Sequence, residues 1–153
     1  MHLTQSFGFL LNTSARAIKR KLDTHLKSYN ITTSQWAVLN LLSYEDNLSQ
    51  AQLAEKTNTD RATCGVILDK LLDKGLIEKA PSKNDRRSYI VNILPAGRTV
   101  VKEVTVLAKE VNQLALRGLS LEEIDSLVSC LHKIVVNLND TYDVQGNLER
   151  HEV

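Results

Sequence analysis

The run Asp85-Arg86-Arg87-Ser88-Tyr89-Ile90-Val91-Asn92-Ile93 constrains the fold more than any other part of the chain. Two adjacent arginines fall in a short polar loop, and the residues after Ser88 alternate in character and are rich in β-branched side chains. Alternation with a period of two marks a half-buried strand. With the segment Leu76 to Ala80 before the loop and a strand from about Ser88 to Leu94 after it, the pattern predicts a β-hairpin with a basic tip. An isolated hairpin is marginal in water, so the rest of the chain has to supply a surface for it.

That surface reads as helical. Leu3, Phe7, Leu10, Leu11, Ile18, Leu22, Leu26 and Tyr29 recur at helical spacing, which predicts a long first helix from about residue 4 to 28. Thr32-Thr33-Ser34-Gln35 has the form of a capping box, in which an N-cap hydroxyl and a Gln three residues on satisfy each other's backbone N–H groups. It opens a second helix with Trp36, Leu39 and Leu42 inside. Ser49-Gln50-Ala51-Gln52 is a second such box, for a short helix ending near Thr57. Asp60 caps the next, which runs to about Lys74 and stops at Gly75, a residue suited to a left-handed C′ position. After the hairpin, Pro95 fits the first turn of a helix, where its missing N–H costs nothing. Val100, Val104, Leu107, Val111 and Leu114 form the apolar stripe of that helix, which Gly118 ends. A third box, Ser120-Leu121-Glu122-Glu123, starts the last helix, with Ile124, Leu127, Leu131, Ile134 and Leu138 inside.

The order is therefore α-α-α-α-β-β-α-α: mainly α with a small β-hairpin, the middle being a winged helix-turn-helix. At 153 residues the chain is read as one domain over 1–153, with the winged module in 32–95 and long outer helices in 1–30 and 96–141. The outer stripes exceed what one small module can cover. Burial against the same helices of a second copy, as a homodimer, is the economical solution.

Net charge is only +1, so nucleic-acid binding would have to come from local clustering. Between Lys79 and Arg98 the basic residues Lys79, Lys83, Arg86, Arg87 and Arg98 face Asp85 alone. Two cysteines, Cys64 and Cys130, make no disulfide framework and point to a reducing compartment. With no leader and no bilayer-length apolar run, the sequence reads as cytoplasmic, without a membrane partner.

The segments Ser49-Gln50-Ala51-Gln52-Leu53-Ala54, Thr59-Asp60-Arg61-Ala62-Thr63, Leu71-Leu72-Asp73-Lys74-Gly75-Leu76-Ile77-Glu78 and Asp85-Arg86-Arg87-Ser88, in that order, resemble the MarR (multiple antibiotic resistance regulator) family of bacterial transcription factors. The resemblance spans nearly the whole chain. It implies a homodimeric winged helix-turn-helix on palindromic double-stranded operators, relieved by a small ligand or, in some members, by cysteine oxidation. Asp60-Arg61-Ala62-Thr63 followed by Gly65 is similar to members that control aromatic-acid catabolism. One departure stands out: the family's Leu-Thr-x-x-Gly entry to the helix after the wing is here Leu94-Pro95-Ala96-Gly97, so the cap hydroxyl is replaced by a proline.

On the fourth helix Cys64, Ile67, Leu68 and Leu71 fall inward, leaving Arg61, Ala62, Gly65, Val66, Asp69 and Lys70 outside. Small apolar groups there suit close approach to a groove and contact with thymine methyls. Arg61 and Lys70 suit phosphates or a guanine edge, and Thr63 a base or phosphate. A plain surface helix with one tolerated glycine is the bland alternative. In the wing, Arg87 is expected in the minor groove, with Asp85 orienting it and Arg86 and Lys83 on phosphates. Asp85 and Arg87 match the family's Asp-x-Arg motif. Ser34, Ser49 and Gln50, at helix N-termini, are phosphate candidates or simply caps.

For an effector, the family's junction between dimer helices and winged module directs attention to Asn12, Arg16, His25, Tyr29, Trp36 and Arg98, with an aromatic carboxylate as the ligand class. Each has a plainer role: Trp36 in the core, Arg16 solvated or salt-bridged, His25 at an interface. Cys64 and Cys130 both read as small buried hydrophobes, although a thiol-based redox-sensing regulator stays an alternative. The histidines are scattered, so no metal is expected, and no nucleophile–base pair or phosphate loop suggests an enzyme or a cofactor. The leading expectation is a ligand-responsive transcriptional repressor. A winged-helix protein-interaction module without operator binding is the competitor from another class.

Overall fold

The computed structural model describes residues 2–83 and 88–138, which fall into two compact units divided between Val111 and Asn112. The first unit begins with a 3-10 turn, Leu3–Gln5, and helix α1, Phe7–Leu26, followed by a second 3-10 turn, Lys27–Tyr29. The expected first helix is thus present but tightened at both ends. Helix α2 spans Thr33–Tyr44, α3 Gln50–Lys56 and α4 Arg61–Asp73. Strands β2, Ile77–Pro81, and β3, Tyr89–Ile93, form the hairpin, and α5 starts at Pro95 and runs to Ala115.

One strand was not foreseen. Leu48–Ser49, β1, pairs antiparallel with β3 (Leu48 opposite Val91, Ser49 opposite Ile90), making a three-stranded sheet in the order β1-β3-β2. The hairpin register runs from Ile77 opposite Ile93 to Pro81 opposite Tyr89. Because β3 is central, its alternation sets the core: Val91 and Ile93 are buried while Ile90 and Asn92 between them are partly exposed, and Tyr89, on the buried face but at the hairpin end of the strand, is exposed.

The caps form as the sequence implies. Thr32 and Gln35 close a complete capping box on α2, and Ser49 and Gln52 one on α3. Asp60 accepts the Thr63 N–H, and Gly75 takes φ +65° just beyond α4, where a side chain would be strained. The core of this unit gathers Leu26, Leu39, Leu42, Leu53, Leu68 and Leu71, none of which retains solvent exposure. Fully burying each such side chain contributes about 1.5–3 kcal/mol. Trp36 is only partly buried against this core, and Val38 takes the deeper place on α2.

The second unit holds the end of α5 and helix α6, Leu121–Leu138. Ser120 and Glu123 exchange both capping-box bonds, at 2.7 and 3.2 Å. The expected inward stripe of α6 is corrected: no residue of α6 is buried, and Leu127, Leu131 and Leu138 are exposed. Cys130 shares this fate and is exposed, not a buried hydrophobe, whereas Cys64 is fully buried. A five-turn amphipathic helix with an uncovered apolar face needs a second surface. Leu3 of the first 3-10 turn and Phe7, Leu10 and Ile18 of α1 are exposed as well.

Candidate nucleic-acid interface

Helices α3 and α4 and the hairpin build the face on which the sequence placed DNA contacts. Asp60 sets its geometry. Its two oxygens accept the backbone N–H of Thr63 at 2.8 Å and the Thr63 hydroxyl at 2.6 Å. These two hydrogen bonds outweigh the upward pull of partial desolvation and hold the Asp60 carboxyl below its ordinary value, so it stays ionised at the helix N-terminus. The Thr63 proton is thereby taken; its hydroxyl can accept from a base but donate to a phosphate only by leaving the cap.

The inward set Cys64, Ile67, Leu68 and Leu71 is buried, and Arg61, Ala62, Thr63, Val66, Asp69 and Lys70 are exposed. Asp69, the one acid of that outer face, pairs with Lys79 of β2 at 3.1 Å. Among the described residues, neither Arg61 nor Lys70 forms an ion pair. Both cations therefore remain available to phosphates, while the acid among them is offset.

Gly65 has a neighbour that its spacing does not reveal. Gln50, the first residue of α3, donates from Nε2 to the Arg61 carbonyl at 3.0 Å. A Cβ on Gly65 would stand 2.9 Å from that Nε2. The glycine thus makes room for the Gln50 amide within the protein. Ser49 is committed to its cap, and Ser34 is half-buried at the start of α2.

In the wing, the Ser82 N–H donates to the Ser88 carbonyl at 2.9 Å, extending the ladder past β2 and β3, and Lys83 is exposed. Asp85, Arg86 and Arg87, with their expected minor-groove and phosphate roles, lie outside the described residues. The root of the hairpin is anchored: Asp46 Oδ1 accepts the Ile93 N–H at 3.0 Å and its Oδ2 meets Arg98 Nη2 at 2.9 Å.

The six effector candidates differ in their surroundings. Asn12 and Arg16 are exposed on α1, His25 and Tyr29 are half-buried, and Trp36 packs on the core with its indole N–H unpartnered. Arg98 is occupied by Asp46 and by the Ser43 carbonyl. A cavity of about 420 Å³ lies instead between α1, α2 and α4, with walls from Ala15, Ile18, Leu22, Ala37 and Ile67 and with Lys19 and Ser34 also lining it. None of the six candidates lines it. Ser34 is the single residue of the sequence-derived sites that does; a cavity formed by residues on three helices and by Thr57 and Thr59 between α3 and α4 leaves no mark at any one sequence spacing.

Cys64 is fully buried, and burial, with a smaller contribution from the Asp60 charge, pushes its thiol up. Among the described residues no cluster of three His, Cys, Asp or Glu could hold a metal, and no helix is long and apolar enough to cross a membrane.

A family model described as MarR matches residues 31–89, the stretch from the approach to α2 through the first residue of β3. The chain is similar to a probable transcriptional regulator from Pseudomonas aeruginosa, at 30% identity over 87% of this chain and 99% of that one, with a TM-score of 0.80. It is also similar in fold to BpsR of Bordetella bronchiseptica, whose DNA binding is regulated by 6-hydroxynicotinic acid (24% identity, 88% and 96% coverage, TM-score 0.83). A mutant of MarR from E. coli, solved with operator DNA, has the same fold at 23% identity, with 84% and 92% coverage and a TM-score of 0.79.

Proposed function

The chain belongs to the MarR family of DNA-binding transcriptional regulators, and from that premise we propose that it is a homodimeric repressor of palindromic operators, released by a small aromatic acid. As a member of that family it is a regulator and not an enzyme. The observation that carries the DNA face is the outer surface of α4: exposed Ala62 and Val66, with the Gln50 amide lying over Gly65, flanked by Arg61 and Lys70, and with the acid among them paired away. Thr63, Ser34, Ser49, Gln50 and Lys83 complete the proposed contacts, with Asp85, Arg86 and Arg87 at the wing tip.

In this reading residues 32–95 bind DNA, while 1–30 and 96–141 pair with a second copy. The exposed Leu3 of the first 3-10 turn, Phe7 and Leu10 of α1, and Leu121, Leu127 and Leu138 of α6 support the pairing, since one chain leaves them in water. Two recognition helices would then enter successive major grooves roughly 34 Å apart. The cavity beside Ile67 is of a size for a small ligand and touches the recognition helix directly, so an occupant there could shift α4. That BpsR responds to an aromatic acid supports the choice of ligand class.

The deciding experiment is binding of purified protein to the duplex upstream of its own gene, followed by fluorescence anisotropy across a salt series. The reading expects sequence-preferring binding whose logarithmic affinity falls by about 0.9 per neutralised phosphate per unit log salt. Arg87→Ala should weaken it sharply, and hydroxybenzoates or hydroxynicotinates should release it. Binding indifferent to sequence and to salt would defeat the operator role and favour the protein-interaction alternative.

A further inference from the structure

Gln50 is placed oddly for a residue that merely opens a helix. It belongs to α3, yet its side chain lies on α4. Its Nε2 donates to the Arg61 carbonyl at 3.0 Å. A Cβ on Gly65 would lie 2.9 Å from Nε2, 3.8 Å from Cδ and 4.0 Å from Oε1, so the whole amide group rests across the glycine. The Gln50 backbone is held too, since its carbonyl receives the buried Cys64 thiol at 3.7 Å. A glutamine is thus fixed between Arg61 and Gly65, on the same face as Ala62 and Val66.

A primary amide has two N–H donors and one carbonyl acceptor. The Arg61 carbonyl takes one donor. Among the described residues none takes the other N–H or Oε1. A donor and an acceptor on one amide complement the N7 acceptor and N6 donor that adenine shows in the major groove. Much of the rotamer freedom that a loose glutamine loses on docking has already been given up, which favours selectivity over adaptability.

We propose that Gln50 is a specificity-determining residue that reads an adenine in each half-site, and that Gly65 and the Arg61 carbonyl are positioning groups that display it. The proposal rests on the DNA-binding reading above. It also changes the meaning of Gly65: its missing side chain serves Gln50, not close approach of α4 to the groove.

The test is selection of binding sites from a randomised duplex pool by the full chain, comparing wild type, Gln50→Ala, Gly65→Ala and the double variant. Wild type should enrich an adenine at one position of each half-site. Gln50→Ala should flatten that position by roughly tenfold to a hundredfold and leave the others intact. Gly65→Ala should flatten the same position. It should also fold, because the atom displaced is the end of a flexible side chain, and thermal melting verifies this. The double variant should behave as Gln50→Ala does alone. An unchanged adenine preference in Gln50→Ala overturns the proposal. So does a further uniform loss of affinity when Gly65→Ala is added to Gln50→Ala, which would return the glycine to groove approach. A wild-type pool with no enriched motif removes the operator reading together with it.

Discussion

Lys74 donates from Nζ to Gln35 Oε1 at 3.2 Å, and the same oxygen receives the Thr32 N–H at 3.2 Å. Lys74 also donates to the Asn30 carbonyl. The residue that ends the recognition helix is thereby tied to the cap that begins α2. Gln35 is 4% exposed, so its amide depends on these partners instead of water. Gln35→Leu removes the acceptor and leaves the Thr32 N–H without its capping partner, at a cost of about 1–3 kcal/mol. Lys74→Met should cost less, about 1 kcal/mol, because Oε1 keeps the Thr32 bond. Urea midpoints at unchanged m-value would check the order; equal effects would show that the lysine, not the cap, holds the joint.

Gly97→Ala is expected to destabilise, and it contrasts with Gly65→Ala. A Cβ on Gly97 would meet the Leu76 carbonyl oxygen at 2.4 Å and Ile93 Cγ1 at 2.8 Å. One of those is backbone of the segment leading into the hairpin, so α5 itself would have to lift off the sheet. Overpacking of this kind costs about 1–3 kcal/mol or more, against about 1 kcal/mol regained in helix propensity. At Gly65 the obstacle is a side-chain end that can swing away, so the propensity gain should show as an unchanged or raised melting temperature. Melting the two variants side by side settles it; a stable Gly97→Ala would mean that the junction after the wing is loose.

These residues mark where sequence reading succeeds and where it stops. The capping boxes at Thr32, Ser49 and Ser120 close over three residues, so local spacing carries them whole. Pro95 and Gly75 act through their own backbone and are equally visible. The outer face of α4 follows from period alone. By contrast, Leu48–Ser49 is too short to alternate and becomes a strand only because β3 offers it a partner. The burial of Gln35 depends on Lys74, and the purpose of Gly65 on Gln50, each far away in the sequence. The stripe of α6 is legible from its period, but a stripe does not say whether the chain itself covers it, and within one chain Leu127 and Cys130 are exposed.

Asp46 should matter more for its oxygen than for its charge. Oδ1 accepts the Ile93 N–H at the root of the wing, and Oδ2 faces Arg98, which also donates to the Ser43 carbonyl. The ion pair is half exposed, and such pairs contribute about 0–1 kcal/mol. The bond to Ile93 is the one that alanine leaves unmade. Asp46→Ala is expected to cost about 1–3 kcal/mol, while Asp46→Asn, which keeps a carbonyl oxygen, should cost under about 1 kcal/mol. Hydrogen exchange at the Ile93 amide reads the difference directly. Protection lost equally in both variants would assign the anchoring to the charge instead.

The acid limb of stability should report Asp23. Its Oδ1 accepts both the Thr33 N–H and the Thr33 hydroxyl at 2.7 Å, and Oδ2 meets Lys19 at 2.7 Å. Partial burial pushes the carboxyl upward, but the bonds from Lys19 and Thr33 outweigh it and hold the group below its ordinary value of 3.8. A carboxylate with a depressed folded value binds fewer protons when folded than when unfolded. Its stabilising contribution is therefore complete above 3.8 and is lost as pH falls through the lower folded value. Asp23→Asn should lower the melting temperature at neutral pH and flatten the decline below pH 3.8, because the asparagine does not titrate. Asp60 shifts in the same direction and remains, so some acid sensitivity should persist. Melting curves between neutral pH and the acid limit test this, and an Asp23→Asn profile parallel to wild type throughout would show that the α1–α2 bond contributes nothing that protonation removes.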